Sequence, residues 1–264
     1  MAAFLLILLV GVSCKDNDNW KIVTDPQPGV YIQGSATVFS SNASTALLKE
    51  IKLDGHDPIS SMVGMYTWLK KDGTFTFAEA NENGDIVQYG MGSVLESNDI
   101  MQRMSIVPDA NPFSVTADGL YYVVVNTQLA QLSLFPVKWG MIGDATPGGW
   151  DAETPLSAVT YNVTGGYAEF DGTIQLKAGS YKFRYGGTWG YEIPDTDDSK
   201  VKIYTDITGG NKGDENFLTS GYTNLQNGGD NLVNSVAGSY KITLKYDVRT
   251  GLFSAKAELI SAEG

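Results

Sequence analysis

Trp150, Lys182, Arg184, Trp189 and Tyr191 are the residues of this chain whose types and spacing can do chemistry. Sugars present C–H faces that pack on exposed aromatic rings, and hydroxyls that pair with donors such as Lys and Arg beside those rings. Trp150 stands in Thr146-Pro147-Gly148-Gly149-Trp150-Asp151, a turn-forming run that places it on a loop, where core packing does not account for it. Trp189 follows Gly186-Gly187-Thr188, immediately after the alternating segment Tyr181-Lys182-Phe183-Arg184-Tyr185. Strand alternation sets Lys182 and Arg184 on one face and Tyr181, Phe183 and Tyr185 on the other, so Tyr185 belongs to the core. Trp139, at the start of a strand, reads as a packing residue.

The elements that must position these residues are short strands. Thr74-Phe75-Thr76-Phe77 and Tyr240-Lys241-Ile242-Thr243-Leu244 alternate in the same way, with Gly, Asn and Asp between the runs. After the N-terminal segment, no window sustains a capped 3.6-residue apolar repeat over three turns, so the class is all-β. In 264 residues, 42% hydrophobic content with 30 Gly suits packed β-structure. The chain also repeats itself. Gly34-Ser35-Ala36 matches Gly143-Asp144-Ala145, Lys71 to Phe77 matches Lys177 to Phe183, and Asp118-Gly119-Leu120-Tyr121 matches Ala237-Gly238-Ser239-Tyr240. The boundary falls near Val137 and Lys138. Each unit is the size of an immunoglobulin-like β-sandwich of about seven strands, and the join Pro136-Val137-Lys138 holds no flexible Gly/Ser linker, which predicts two tandem sandwiches in a semi-rigid line.

Phe4 to Val12 is an apolar run far shorter than the roughly 20 residues that span a bilayer, and it reads as the core of a signal peptide covering residues 1–13. No Lys or Arg precedes it, which suggests that translation starts further upstream. Cys14, the sole cysteine, excludes a disulfide framework. Its place after Gly11, Val12 and Ser13 resembles the lipobox of bacterial lipoproteins, which implies lipidation at Cys14 and a tether over residues 14–27. Lys15-Asp16-Asn17-Asp18 resembles the acidic signal that exports Bacteroidetes lipoproteins to the outer face of the outer membrane.

Trp139-Gly140-Met141-Ile142-Gly143-Asp144-Ala145-Thr146-Pro147-Gly148-Gly149-Trp150-Asp151 resembles the opening motif of the SusE/SusF family of Bacteroidetes starch-binding lipoproteins. Tyr181 to Trp189 is similar to the strand, turn and tryptophan of glycogen- and starch-binding sandwich modules. There a loop Trp, a strand Lys and a second Trp form the sugar platform, matched here by Trp150, Lys182 and Trp189. The resemblance implies a spacer sandwich over 28–137 and a carbohydrate-binding sandwich over 138–264. It also implies a cell-surface protein that captures polysaccharide or oligosaccharide beside a SusC/SusD-like importer. In the first unit the position matching Trp150 is not aromatic, and no cation stands where Lys182 does.

Other classes find less support. A formal net charge of -12 with scattered acids excludes a phosphate-binding surface and hence nucleic acid. Two carboxylates roughly 5 to 9.5 Å apart would be needed for glycoside hydrolysis, and the acidic run from Glu192 to Asp198 reads as a solvated loop. His56, the only histidine, has no Gly-x-Ser-x-Gly elbow to serve. Its surroundings lack zinc ligands, and Asp206 to Asp214 lacks EF-hand spacing. The sequence therefore predicts no enzyme, no cofactor and no metal. The rival reading is a structural or adhesive surface lipoprotein that binds protein, for which Trp150 and Trp189 are expected to be buried rather than coplanar and exposed.

Overall fold

The computed structural model describes residues 26–39, 43–209 and 222–262. The signal segment, Cys14, the acidic tether and Trp20 lie outside the described residues. Among the described residues, twenty strands and one 3-10 turn make an all-β, antiparallel fold, as expected. Among the described residues, no helix is long and apolar enough to cross a membrane.

The first half contains β1 (Gly29–Gln33), β2 (Lys49–Glu50), β3 (Met62–Leu69), β4 (Thr76–Ala80), β5 (Ile86–Ser97), β6 (Gln102–Pro108), β7 (Gly119–Asn126) and β8 (Gln131–Pro136). They form one sheet in the order β1-β4-β5-β6-β8-β7-β3-β2. Register shifts in the β5–β6 ladder around Val94 mark bulges, and bulges bend a strand. The sheet curls until its ends meet: Tyr31 bridges Leu47, and the Leu48 amide donates to the Val30 carbonyl at 2.8 Å. Inside the curl, Ile32, Phe75, Phe77, Phe113, Val123, Val125 and Leu132 are fully buried.

The second half follows with β9 (Trp139–Ile142), β10 (Thr154–Pro155), β11 (Ala158–Asn162), β12 (Tyr167–Leu176), β13 (Gly179–Tyr185), β14 (Tyr191–Pro194) and β15 (Lys200–Ile203). It ends with β16 (Asp206–Ile207), β17 (Tyr222–Leu225), β18 (Leu232–Asn234), β19 (Gly238–Asp247) and β20 (Leu252–Ala262). One sheet runs β10-β9-β13-β16, with β18 on the start of β13. The other runs β11-β12-β19-β20-β17, and β14 pairs only with β15. Tyr181 and Phe183 of one sheet and Phe170, Ile242 and Leu244 of the other share a buried core.

The sequence repeat is also a repeat of hydrogen bonds. Ala36 N–H donates to Thr74 at 3.0 Å, as Ala145 N–H donates to Ser180 at 3.1 Å. The Thr37 and Thr146 hydroxyls each donate back to the glycine three residues earlier, both at 2.9 Å. Tyr121 and Tyr240 each donate their hydroxyl to the carbonyl four residues upstream, at 2.8 and 2.7 Å. That last contact resembles the tyrosine corner of immunoglobulin-like sandwiches, with which the all-β fold is compatible.

The halves are not spaced apart. Leu120 to Asn126 is buried at every position, because β7 has a core on both faces. Leu120, Tyr122 and Val124 face away from the first core and join Tyr66, Trp68 and Phe135 in one hydrophobic cluster with Trp139, Tyr185, Tyr246 and Phe253 of the second half. Trp68 stacks on Tyr161 with ring centres 5.0 Å apart. Among the described residues a single bridge, Leu53 to Ile203, pairs backbone across the junction, beside a Lys202–Asp54 ion pair at 3.0 Å. The faces of β3 and β7 that point away from the first core are largely apolar, and with Phe135 of β8 they pack against residues of the second half.

Candidate functional site

Strand β13 sets the geometry. Tyr181, Phe183 and Tyr185 point into the core at 1% exposure or less, which leaves Lys182 and Arg184 on the outer face. The strand ends at Gly186 and Gly187, with φ of +78° and +71°, a left-handed pair that turns the chain back on itself. The return brings Trp189 over the outer face. Its ring centre lies 4.4 Å from the Arg184 guanidinium carbon and 5.9 Å from Lys182 Nζ, within range of cation–π attraction.

Trp150 arrives from the other side. After β9, Gly143, with φ of +141°, lies against the β13 backbone at Ser180. The Gly143 and Gly149 amides then close a turn, on the Gly149 carbonyl at 2.8 Å and the Thr146 carbonyl at 3.2 Å. This leaves Trp150 partly exposed, its ring centre 6.0 Å from that of Trp189 and the two planes inclined by 41°. Trp189 is 39% exposed.

The polar groups beneath the rings are paired. Lys182 Nζ lies 3.0 Å from Asp206 Oδ2, and Arg184 Nε lies 2.6 Å from Glu153 Oε1. The same Glu153 oxygen accepts the Gly187 amide at 3.0 Å. Glu153 thereby ties the turn that carries Trp150 to the turn that carries Trp189. Two cations and two carboxylates leave the layer without formal net charge, and its effect is to hold Arg184 in place beneath the Trp189 ring. Asp206 is fixed in turn, its carbonyl accepting from Asn227 Nδ2 at 2.7 Å.

Trp150, Lys182, Arg184 and Trp189 are thus brought together. Arg184 is only 4% exposed, and its position against Trp189 and its pairing with Glu153 let it support the ring from below. Tyr191 is not part of the ring pair. Its ring stacks on Phe135 of the first half at 5.1 Å, and its hydroxyl donates to the Gly186 carbonyl at 3.1 Å. Burial, with the nearby Glu153 carboxylate, pushes its hydroxyl up to about 12, against a smaller opposing pull from Arg184. Trp139 is 1% exposed, a core residue.

Sequence reasoning did not single out Glu153 or Asp206 for this site. Glu153 follows Trp150 by three positions, which was the one available signal. In the first half, Ala78 on β4 holds the place of Arg184 and is fully buried with Tyr31, Ala46 and Ala80 under the segment around Ala43 and Leu47. That face is covered by its own chain. Among the described residues no group of three or more His, Cys, Asp or Glu side chains converges as metal ligands would. No family model, curated protein or solved structure matches the chain.

Proposed function

We propose that this chain is a cell-surface glycan-binding lipoprotein, anchored to the outer membrane through Cys14, which captures polysaccharide for a SusC/SusD-type uptake system and performs no chemistry. The observation that carries the reading is the Trp150–Trp189 pair, two partly exposed rings 6.0 Å apart on a rigid, charge-balanced base. Such rings take up the C–H faces of sugars at little cost in side-chain entropy. Rings inclined by 41° suit successive sugars of a chain that bends, such as a starch-like glycan, better than a flat ribbon. Hydroxyl contacts then come from the Glu153 carboxylate edge and from Lys182, which is less covered than Arg184.

A shallow platform of this kind binds oligosaccharide in the micromolar to millimolar range, about -4 to -8 kcal/mol. The test is affinity electrophoresis of the full chain against a panel that includes starch and flat β-linked glucans, followed by calorimetry of Trp150→Ala and Trp189→Ala. Each substitution is expected to cost roughly 1–3 kcal/mol. Retention of binding in both folded variants, or no glycan bound at all, would overturn the assignment. The alternative, an adhesive lipoprotein that binds protein, draws on the exposed apolar side chains Ile86, Val87, Val94, Leu95 and Val107 of β5 and β6. Trp150 and Trp189 are neither buried nor coplanar, and the partial exposure of both favours the glycan reading.

A further inference from the structure

A cleft of about 530 Å³ opens where the two halves meet, away from the tryptophan pair. Ligand sites favour such junctions, and this volume falls within their usual range of roughly 300–1,000 Å³. One wall comes from β2, β3 and the chain before them, the other from the β19–β20 turn and the residues after β17. Tyr66, Tyr122 and Tyr246 form part of its lining and come from both halves, as part of the shared core.

The charges of this lining run against those of the chain. The protein carries a formal net charge of -12, yet the cleft brings together Lys49, Lys52 and Arg249 against a single carboxylate, Glu50. Neither Lys49 nor Lys52 forms an ion pair among the described residues. Lys52 Nζ instead donates to the Asn227 carbonyl of the other half at 2.8 Å and lies 5.8 Å from the Tyr204 ring centre. Arg249 meets Asp247 only at 3.9 Å and donates to the Gly165 carbonyl. A cleft lined by one sign of charge focuses the field and concentrates the opposite ion. Beside these cations the amides of Gln226 and Asn227 and the hydroxyls of Ser44, Thr45 and Thr250 supply both donors and acceptors. That combination matches a ligand with one or two anionic groups and several hydroxyls.

We propose that this cleft is a second binding site, for an acidic sugar: a mono- or disaccharide bearing a carboxylate or sulfate. The site does not depend on the tryptophan pair. Lys49 and Lys52 supply the attraction, Arg249 closes the anionic end, and the amides read the hydroxyls.

The test is calorimetry on the full chain with three probes: a glucuronate-containing disaccharide, a sulfated disaccharide and a neutral disaccharide. One or both acidic probes should bind at least roughly tenfold tighter than the neutral one, and the preference should shrink as ionic strength rises. Which acidic probe binds distinguishes carboxylate from sulfate recognition. Lys49→Gln combined with Lys52→Gln should remove the preference, and so should Arg249→Gln at an exposed turn if the double variant does not fold. Trp150→Ala should leave it in place. Equal binding of acidic and neutral probes, survival of the preference in the folded lysine and arginine variants, or its loss in Trp150→Ala would each overturn the proposal. Starch binding at the tryptophan pair is read out separately by the neutral polymer, so either site can fail alone.

Discussion

Tyr246 donates its hydroxyl to the main-chain carbonyl of Tyr66 at 2.9 Å, a buried bond between residues 180 positions apart that fastens the second half to the first. Tyr246→Phe removes the donor and leaves a buried carbonyl short of a partner, at a cost of about 1–2 kcal/mol. Because the ring lies in the cluster that both halves share, urea denaturation should show one transition in the parent and in the variant, with a lower midpoint and an unchanged slope. Two separated transitions would show that the halves unfold independently.

Removing one carboxylate tests the base of the ring pair. Glu153→Gln keeps the shape of the side chain but leaves Arg184, 4% exposed, without its counter-charge. The cost is expected to be about 3 kcal/mol of stability. Trp189 loses the fixed seat below it, so its fluorescence should change and affinity for a retained glycan should fall, with Trp150 untouched. Unchanged affinity in the folded variant would show that Glu153 does not hold the platform.

The repeated glycines make a paired prediction. A Cβ on Gly34 would sit 2.3 Å from the Thr74 carbonyl oxygen, and one on Gly143 would sit 2.2 Å from that of Ser180. Both residues have positive φ, +130° and +141°. Gly34→Ala and Gly143→Ala should therefore destabilise to a similar degree, roughly 2–4 kcal/mol each by thermal melting. Only Gly143→Ala should also weaken glycan binding, since its turn carries Trp150. A small cost at either position would mean that the backbone there relaxes easily.

Alkali should unfold the protein at its junction. Burial raises the hydroxyls of Tyr66, Tyr122, Tyr185 and Tyr246 above 10, and Tyr191 to about 12. A raised folded value means that the native state holds its protons more tightly than the unfolded chain, whose tyrosines ionise near 10. Stability is thus complete below pH 10 and falls as pH rises from about 10 towards 12 and beyond. Phenolate absorbance from these rings should appear together with loss of near-ultraviolet circular dichroism. Titration of all the tyrosines near pH 10, before any unfolding, would contradict their placement.

Local pattern and tertiary pairing were not equally legible in the sequence. The two-residue period of Tyr181 to Tyr185 placed three aromatics inward and two cations outward, because alternation is a property of the strand alone. The glycine turns and closing tyrosines showed as a repeat because each contact is made within a few residues of a turn. Asp206 and Glu153 were not legible as partners, since they lie 24 and 31 positions from the cations they meet and only the folded sheets bring them there. The docking of the halves was written in Leu120-Tyr121-Tyr122-Val123-Val124-Val125, an unbroken apolar run that signals a strand buried on both faces. Nothing local in that run says what covers the second face.

In the curled first sheet the two end strands are drawn together where Tyr31 on β1 bridges Leu47 beside β2, which shortens the open edge available to another polypeptide. The second half differs, for β11 pairs on one side only, with β12, and Val159 on it is 42% exposed. At high local protein density, β11 is an edge on which strands could grow from one molecule to the next.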